Sequence, residues 1–293
     1  MHKPILLVGN TGQLGQELEH ILRPSYNNTL ISVGRPDIDL CQPETITKII
    51  EEVQPKVIVN CAAYTAVDKA ESEPELAHAV NGNAPGIIAK AAQDSGAFFL
   101  HVSTDYVFDG NNYLPYTESD TPNPLGIYGK SKLAGEEAIR QNCENHLIIR
   151  TAWVYGNHGK GNFVKTMLRL GGQREALGVV EDQIGTPTWT GDLAAAIAQL
   201  IPNLKPEQSG TYHYTNSGVA SWYDFAIAIF EEAKNLNIPL KIERVNPITT
   251  SEYPTPARRP AYSVLSCGKI SQLLGEKPPH WRESLRKMLA NLT

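Results

Sequence analysis

Ile5-Leu6-Leu7-Val8-Gly9-Asn10-Thr11-Gly12-Gln13-Leu14-Gly15 decides how the amino-terminal half of this chain folds. A short apolar strand runs into a GxxGxxG turn, and the turn opens an amphipathic segment from Gln13 to Leu22. Gly9 suits a tight turn, and Gly12 lets backbone approach a pyrophosphate. The amino terminus of the following helix offers unpaired N–H groups to an anion. Gly9, Thr11, Gly12, Gln13, Leu14 and Gly15 are therefore read as a dinucleotide-binding turn. A glycine-rich strand-to-helix turn without a ligand would have the same composition.

Downstream, strand-like runs at Thr29 to Val33, Val57 to Asn60, Phe98 to Val102 and Leu147 to Arg150 alternate with helix-like segments. Candidate helices open at Gly12 and near Pro43, Pro74 and Pro85, where an early proline fits an open first turn. This rhythm predicts an α/β fold, a doubly wound parallel sheet with helices on both faces. After Trp153-Val154-Tyr155-Gly156 the pattern loosens and prolines multiply. Residues 1–155 are thus expected to form a dinucleotide-binding domain, and 156–293 mainly a smaller α/β substrate-binding lobe. Helices over Asp192 to Leu200 and Trp222 to Lys234 are expected to pack back onto the sheet.

The chain has 293 residues and a net charge of −5, with acidic and basic residues interspersed. No basic stripe marks a nucleic-acid partner and no polybasic or amphipathic helix marks a membrane, so a small-molecule partner is expected. Residues 1 to 8 are too short an apolar stretch for a signal peptide, which predicts a cytoplasmic protein. The cysteines at 41, 61, 143 and 267 are scattered without a CxxC, and the histidines show no HExxH, so no catalytic transition metal is read.

Tyr128-Gly129-Lys130-Ser131-Lys132 places a phenol and an ammonium four residues apart, on one face of a helix. A nearby cation favours the phenolate and makes tyrosine a usable acid toward a developing alkoxide. With the glycine turn, the pair suggests carbonyl reduction with a nicotinamide. The spacing alone also fits a surface helix. At the end of the second strand stand Gly34 and Arg35, where an acid commonly receives the ribose. Arg35 suits a 2′-phosphate and hence NADPH, while Asp37 keeps NADH open; a solvated loop cation is the other reading of Arg35.

Closer motifs follow in order: Ala66-Val67-Asp68-Lys69-Ala70-Glu71, Val102-Ser103-Thr104-Asp105-Tyr106-Val107-Phe108-Asp109-Gly110, Arg150-Thr151-Ala152-Trp153-Val154-Tyr155 and Tyr253-Pro254-Thr255-Pro256-Ala257-Arg258-Arg259-Pro260. With the glycine turn and the Tyr128/Lys132 pair, the chain resembles the extended short-chain dehydrogenase/reductase superfamily. Within it, the chain resembles the dTDP-4-dehydrorhamnose reductase family, from about residue 4 to about residue 290. Sugar dehydratases of the superfamily tend to carry Asp-Glu after the threonine, whereas Asp105-Tyr106 stands here.

The resemblance implies reduction of the 4-keto group of dTDP-4-dehydro-β-L-rhamnose, the last step toward dTDP-β-L-rhamnose. It assigns Thr104, Tyr128 and Lys132 as the catalytic trio; Ser103 is the rival to Thr104, since strand neighbours point to opposite faces. It also implies that Asp39 and Leu40 line the adenine site and that Ala62, Ala63, Tyr64 and Thr65 follow the cofactor. Val67, Asp105, Tyr106, Trp153 and Arg259 join Thr104 and Tyr128 around the dTDP-sugar. Asp39 could equally be a turn residue, Trp153 a core residue, and either Arg258 or Arg259 the partner of the diphosphate. Asp182 to Thr188 looks like the family's loop at the nucleotide end.

Some members use Mg2+ for dimerisation or activity, with carboxylates near each end of the chain. Glu17 matches one, but Met288-Leu289-Ala290-Asn291-Leu292-Thr293 lacks a glutamate, which leaves the ion and a homodimer open. Two competing readings remain: an epimerase or dehydratase that retains NAD, and a non-catalytic regulatory subunit.

Overall fold

The computed structural model describes residues 4–292. Met1 to Lys3, which begin the stretch read against a signal peptide, and Thr293 lie outside the described residues. Six parallel strands form the main sheet: β1 (Ile5–Val8), β2 (Leu30–Val33), β3 (Val57–Asn60), β4 (Phe98–Thr104), β5 (His146–Thr151) and β6 (Gly210–His213). Their spatial order is β6-β5-β4-β3-β1-β2. The chain leaves β1 toward β2 and then returns to place β3 on the other side. That reversal opens a crevice beyond the carboxyl ends of β1 and β3, where Val8 and Asn60 are paired.

Both sheet faces are covered, which is why the strands read as continuous apolar runs. Alternate residues of β1 feed opposite cores. Ile5 and Leu7 pack with Leu14, Leu18 and Leu22 of α1 (Gln13–Tyr26); Leu6 and Val8 pack with Ile46 and Ile50 of α2 (Pro43–Val53) and Ile88 and Ala92 of α3 (Ala84–Ser95). On the second face, α4 (Ile127–Asn142) lies beside α3 and carries Tyr128 and Lys132.

The second half of the chain divides its elements between two places. Strand β6 pairs with β5 as the sixth strand, and α6 (Thr190–Leu200) packs against α1, burying Leu193, Ala194 and Ile197 in the first core. The helix expected over Trp222 to Lys234 forms as α7 (Trp222–Asn235) but does not return to the sheet. Its apolar face, with Phe225, Ile229 and Phe230, meets α5 (Phe163–Gly171) and α8 (Trp281–Ala290) in a separate core. That core also receives Leu177 and Val179 from Ala176–Val180, which pairs in parallel with Arg244–Ile248. Among the described residues, no helix is long and apolar enough to cross a membrane.

Candidate active site

Strand alternation separates Ser103 from Thr104 at the end of β4. Ser103 Oγ turns into the protein and donates to Glu136 Oε1 at 2.6 Å. Thr104 faces the other way: its Oγ1 donates to Asp105 Oδ1 at 2.9 Å and accepts from Tyr106 N–H at 3.2 Å. The same hydroxyl lies beside the Tyr128 phenol. Tyr106 meets the Tyr128 ring edge-on at 5.4 Å, and α4 approaches the 105–107 turn so closely that a Cβ on Gly129 would sit 2.2 Å from the Tyr106 carbonyl oxygen. Asp105 is buried, and burial pushes its carboxyl up to about 6; its Oδ1 accepts from Thr104, and the Ser263 hydroxyl also lies beside the carboxyl.

Tyr128 and Lys132 share one face of α4, as their spacing predicts, but not in the electrostatic relation expected. Burial raises the Tyr128 phenol, and the Thr104 hydroxyl opposes that rise only in part. Lys132, 1% exposed, points its Nζ elsewhere: it donates to the Val102 carbonyl at 2.8 Å and lies 3.1 Å from His101 Nε2. Burial pulls Lys132 down to about 8. From this position Lys132 therefore does not lower the Tyr128 phenol, and burial keeps the phenol protonated.

The glycine turn fits a dinucleotide. Gly9 adopts φ 95° against Ala62, and a Cβ on Gly15 would sit 2.1 Å from the Gly9 oxygen, so both glycines are required by packing. Gly12 is exposed, and a Cβ there would meet only the Gly9 oxygen at 3.4 Å. It caps α1 without a side-chain bond, and no acidic residue stands in the first turn, which leaves the helix amino terminus suited to an anion. Thr11 is exposed beside it. The side chains of Leu14 and Gln13 serve the fold: Leu14 is in the core, and Gln13 Oε1 accepts from Asn162 Nδ2 at 2.7 Å.

Around the ribose end, Arg35 and Asp37 are both exposed, and Asp37 Oδ2 accepts from Gly34 N–H at 2.9 Å. Asp39 behaves as a turn residue, accepting from Cys41 N–H and Gln42 Nε2, and Leu40 packs against the second core. Ala62, Ala63 and Tyr64 are half-buried and Thr65 exposed as the chain leaves β3. On the opposite side, Arg259 pairs with Asp68 at 2.8 Å and donates to Tyr106 Oη at 3.1 Å, while Arg258 is exposed. Half-buried Val67 begins the short helix Val67–Ala70 that carries Asp68. Trp153 sits at φ 49°, its ring stacked 3.5 Å from Trp222 and close to Gly185. Asp182 is fastened to Thr250, and Thr186 to the Gly218 carbonyl.

Comparison with known proteins bears on this geometry. The family model described as RmlD substrate binding domain matches residues 1–293. The dTDP-4-dehydrorhamnose reductase of Escherichia coli K12 is 46% identical over 98% of this chain and 97% of that protein. The chain belongs to the dTDP-4-dehydrorhamnose reductase family. A solved dTDP-4-dehydrorhamnose reductase from Bacillus anthracis, in complex with NADP, superposes with a TM-score of 0.92 at 38% identity, covering 99% of this chain and 100% of that one. The UDP-glucose 4-epimerase of Thermus thermophilus, 20% identical with a TM-score of 0.81 over 99% of this chain and 98% of that one, shares the fold alone.

In this member of the reductase family, Glu17 lies 3.6 Å from His158 Nε2 rather than in a group of carboxylates. No cluster of three or more His, Cys, Asp or Glu that could hold a metal ion occurs among the described residues. Several residues around the site escaped the sequence reading. Asn81, in the π-helical turn Ala79–Asn83, clamps both backbone groups of Tyr64 and donates to Ser131 Oγ. Glu136 binds Arg150 through two bonds, at 2.9 and 2.6 Å. Asn60 and His101 lie behind Lys132. For Glu136 a signal existed, since it follows Lys132 by four residues on the same helix face. Asn60 and His101 were visible only as polar residues within apolar strands.

Proposed function

We propose that this chain reduces the 4-keto group of dTDP-4-dehydro-β-L-rhamnose to dTDP-β-L-rhamnose with NADPH. The observation that carries this reading is the Thr104/Tyr128 pair where α4 meets the end of β4, on the same carboxyl edge of the parallel sheet as the glycine turn, in a chain of this family. Residues 1–155 would bind the cofactor, through the turn at Gly9 to Gly15 and the segment Ala62 to Thr65. Residues 156–293 would mainly cover the sugar, apart from α6 and β6, which belong to the sheet. When bound, the reduced nicotinamide supplies the hydride. Tyr128 delivers its proton to the keto oxygen, and Thr104 donates a hydrogen bond to that oxygen as charge grows there. Lys132, as the cation, holds the ribose hydroxyls and stabilises the tyrosinate left behind. The test is loss of NADPH absorbance with dTDP-4-dehydro-L-rhamnose beside the corresponding UDP and GDP keto-sugars. Turnover without net NADPH consumption would overturn the reading in favour of an enzyme that recycles its hydride.

Two narrower expectations follow from charge placement. With Asp37 turned toward Gly34, exposed Arg35 is the group available for a 2′-phosphate, so NADPH should exceed NADH in kcat/KM by about 5- to 30-fold. Arg35→Ala should remove that preference; equal efficiencies in the unmutated protein would exclude this role. Arg259 should meet the substrate diphosphate, and Arg259→Ala should raise KM by about tenfold, the low end for a charge-assisted contact because Asp68 already neutralises part of the guanidinium. An unchanged KM, with the loss appearing in Arg258→Ala, would transfer the role to its neighbour.

A further inference from the structure

Behind Lys132 runs a buried chain of hydrogen bonds anchored on a single backbone group. Ala62 N–H donates to Asn60 Oδ1 at 3.0 Å, which fixes which end of that amide faces inward. Asn60 Nδ2 then lies 3.1 Å from His101 Nδ1. An amide nitrogen can only donate, so Nδ1 must accept, and a neutral His101 carries its proton on Nε2. That proton points at Lys132 Nζ, 3.1 Å away. An ammonium has no lone pair with which to accept it. The contact is a hydrogen bond only if Nζ is the neutral amine, which can accept from Nε2–H while donating to the Val102 carbonyl. With the ammonium, His101 would need its proton on Nδ1, facing the Asn60 NH2 donor to donor.

We infer that Asn60 and His101 are positioning residues: Asn60 fixes the Nε2–H tautomer of His101, and that tautomer disfavours the ammonium form of Lys132. Asn60 and His101 are both fully buried, so solvent cannot relieve the mismatch. The other groups facing Lys132 do not impose this polarity. Glu136, on the same helix, favours the cation and is itself held by Arg150 and Arg140; Cys61 remains a thiol, pushed up to about 12 by burial. Burial, and the charge of Lys132 whenever it is the ammonium, hold His101 well below the ordinary histidine range, so it stays neutral. The site thus stores its lysine close to the point of discharge, and ligands that offer acceptors to Nζ favour the charged form.

The test is Asn60→Asp, nearly isosteric but with an oxygen where Nδ2 stood. A carboxylate accepts from His101 Nδ1–H, which turns Nε2 into an acceptor for the ammonium. In histidine-labelled protein at about pH 9, long-range nitrogen–proton spectra should show His101 as the Nε2–H tautomer in the unmutated chain and as Nδ1–H in Asn60→Asp, with His101→Gln identifying the resonance. Because the kinetic arm rests on the reductase reading with Lys132 acting as a cation, it is measured separately. The alkaline limb of kcat/KM should move up by about one pH unit, so that one unit above the original midpoint roughly fivefold more of the plateau activity remains. An Nδ1–H tautomer in the unmutated chain overturns the inference, as does a limb that stays or moves down after the tautomer has switched. If Asn60→Asp does not fold, the unmutated spectrum decides alone. Absence of turnover in the unmutated chain would instead sink the reductase reading and leave the tautomer result standing.

Discussion

Tyr128→Phe is expected to lower kcat by about 10²- to 10⁴-fold while changing NADPH affinity little. The substitution removes one oxygen and keeps the ring, so the edge contact with Tyr106 and the seat of α4 against the 105–107 turn should survive. What disappears is the proton donor. Burial holds the phenol protonated, which makes Tyr128 a loaded acid when the carbonyl arrives. Hydride delivery to a carbonyl without a proton leaves an alkoxide that Thr104 alone must stabilise, so the loss should fall on turnover rather than on cofactor binding. Steady-state kinetics together with NADPH titration of the purified variant check this. Turnover within a few-fold of the unmutated protein would remove Tyr128 from the role of acid.

Arg150→Met should destabilise the protein by about 3 kcal/mol, within the range for stripping one partner from a buried ion pair. Arg150 is 2% exposed and Glu136 fully buried, and their two short bonds tie α4 to β5 while Ser103 ties the same carboxylate to β4. Burial alone would raise the Glu136 carboxyl; the Arg150 bonds and charge outweigh it and hold the group below its ordinary value of 4.5. Because the native value is depressed, this stabilisation is present in full above about pH 4.5, the ordinary glutamate value, and is lost as pH falls through the native one. Arg140 still reaches Glu136 in the variant, but from a half-exposed position, which places the expected loss at the lower end of the range. Urea unfolding at neutral pH measures it. A loss under about 1 kcal/mol would mean that Arg140 suffices. Glu136→Leu combined with Arg150→Met should be no worse than Arg150→Met alone, since no buried unpaired charge remains and Arg140 reaches solvent.

Strand and helix periodicity made the first five strands of the sheet legible, each within two residues of its observed ends, because strands covered on both faces are apolar along most of their length. The glycine turn was legible for a related reason: Gly9 and Gly15 stand where no Cβ can fit. The helical spacing of Tyr128 and Lys132 placed both on one face without any knowledge of the rest of the chain.

The sixth strand was not legible. Gly210-Thr211-Tyr212-His213 has no apolar alternation, and it becomes a strand because β5 presents an open edge to it. The destination of Trp222–Asn235 was equally hidden, since an amphipathic helix declares that it has an apolar face but not which core will receive it. At the site, local spacing could bring Lys132 toward Tyr128 but could not reveal that Val102 and His101, thirty residues earlier, already engage its Nζ. Nor could it show which of Ser103 and Thr104 faces the phenol, a choice made by the buried carboxylate of Glu136. Sequence by itself determined the elements and the residue types, through periodicity, steric need and spacing. Tertiary structure decided the partners and therefore the charge states, because burial and hydrogen-bond polarity depend on groups that only folding brings together.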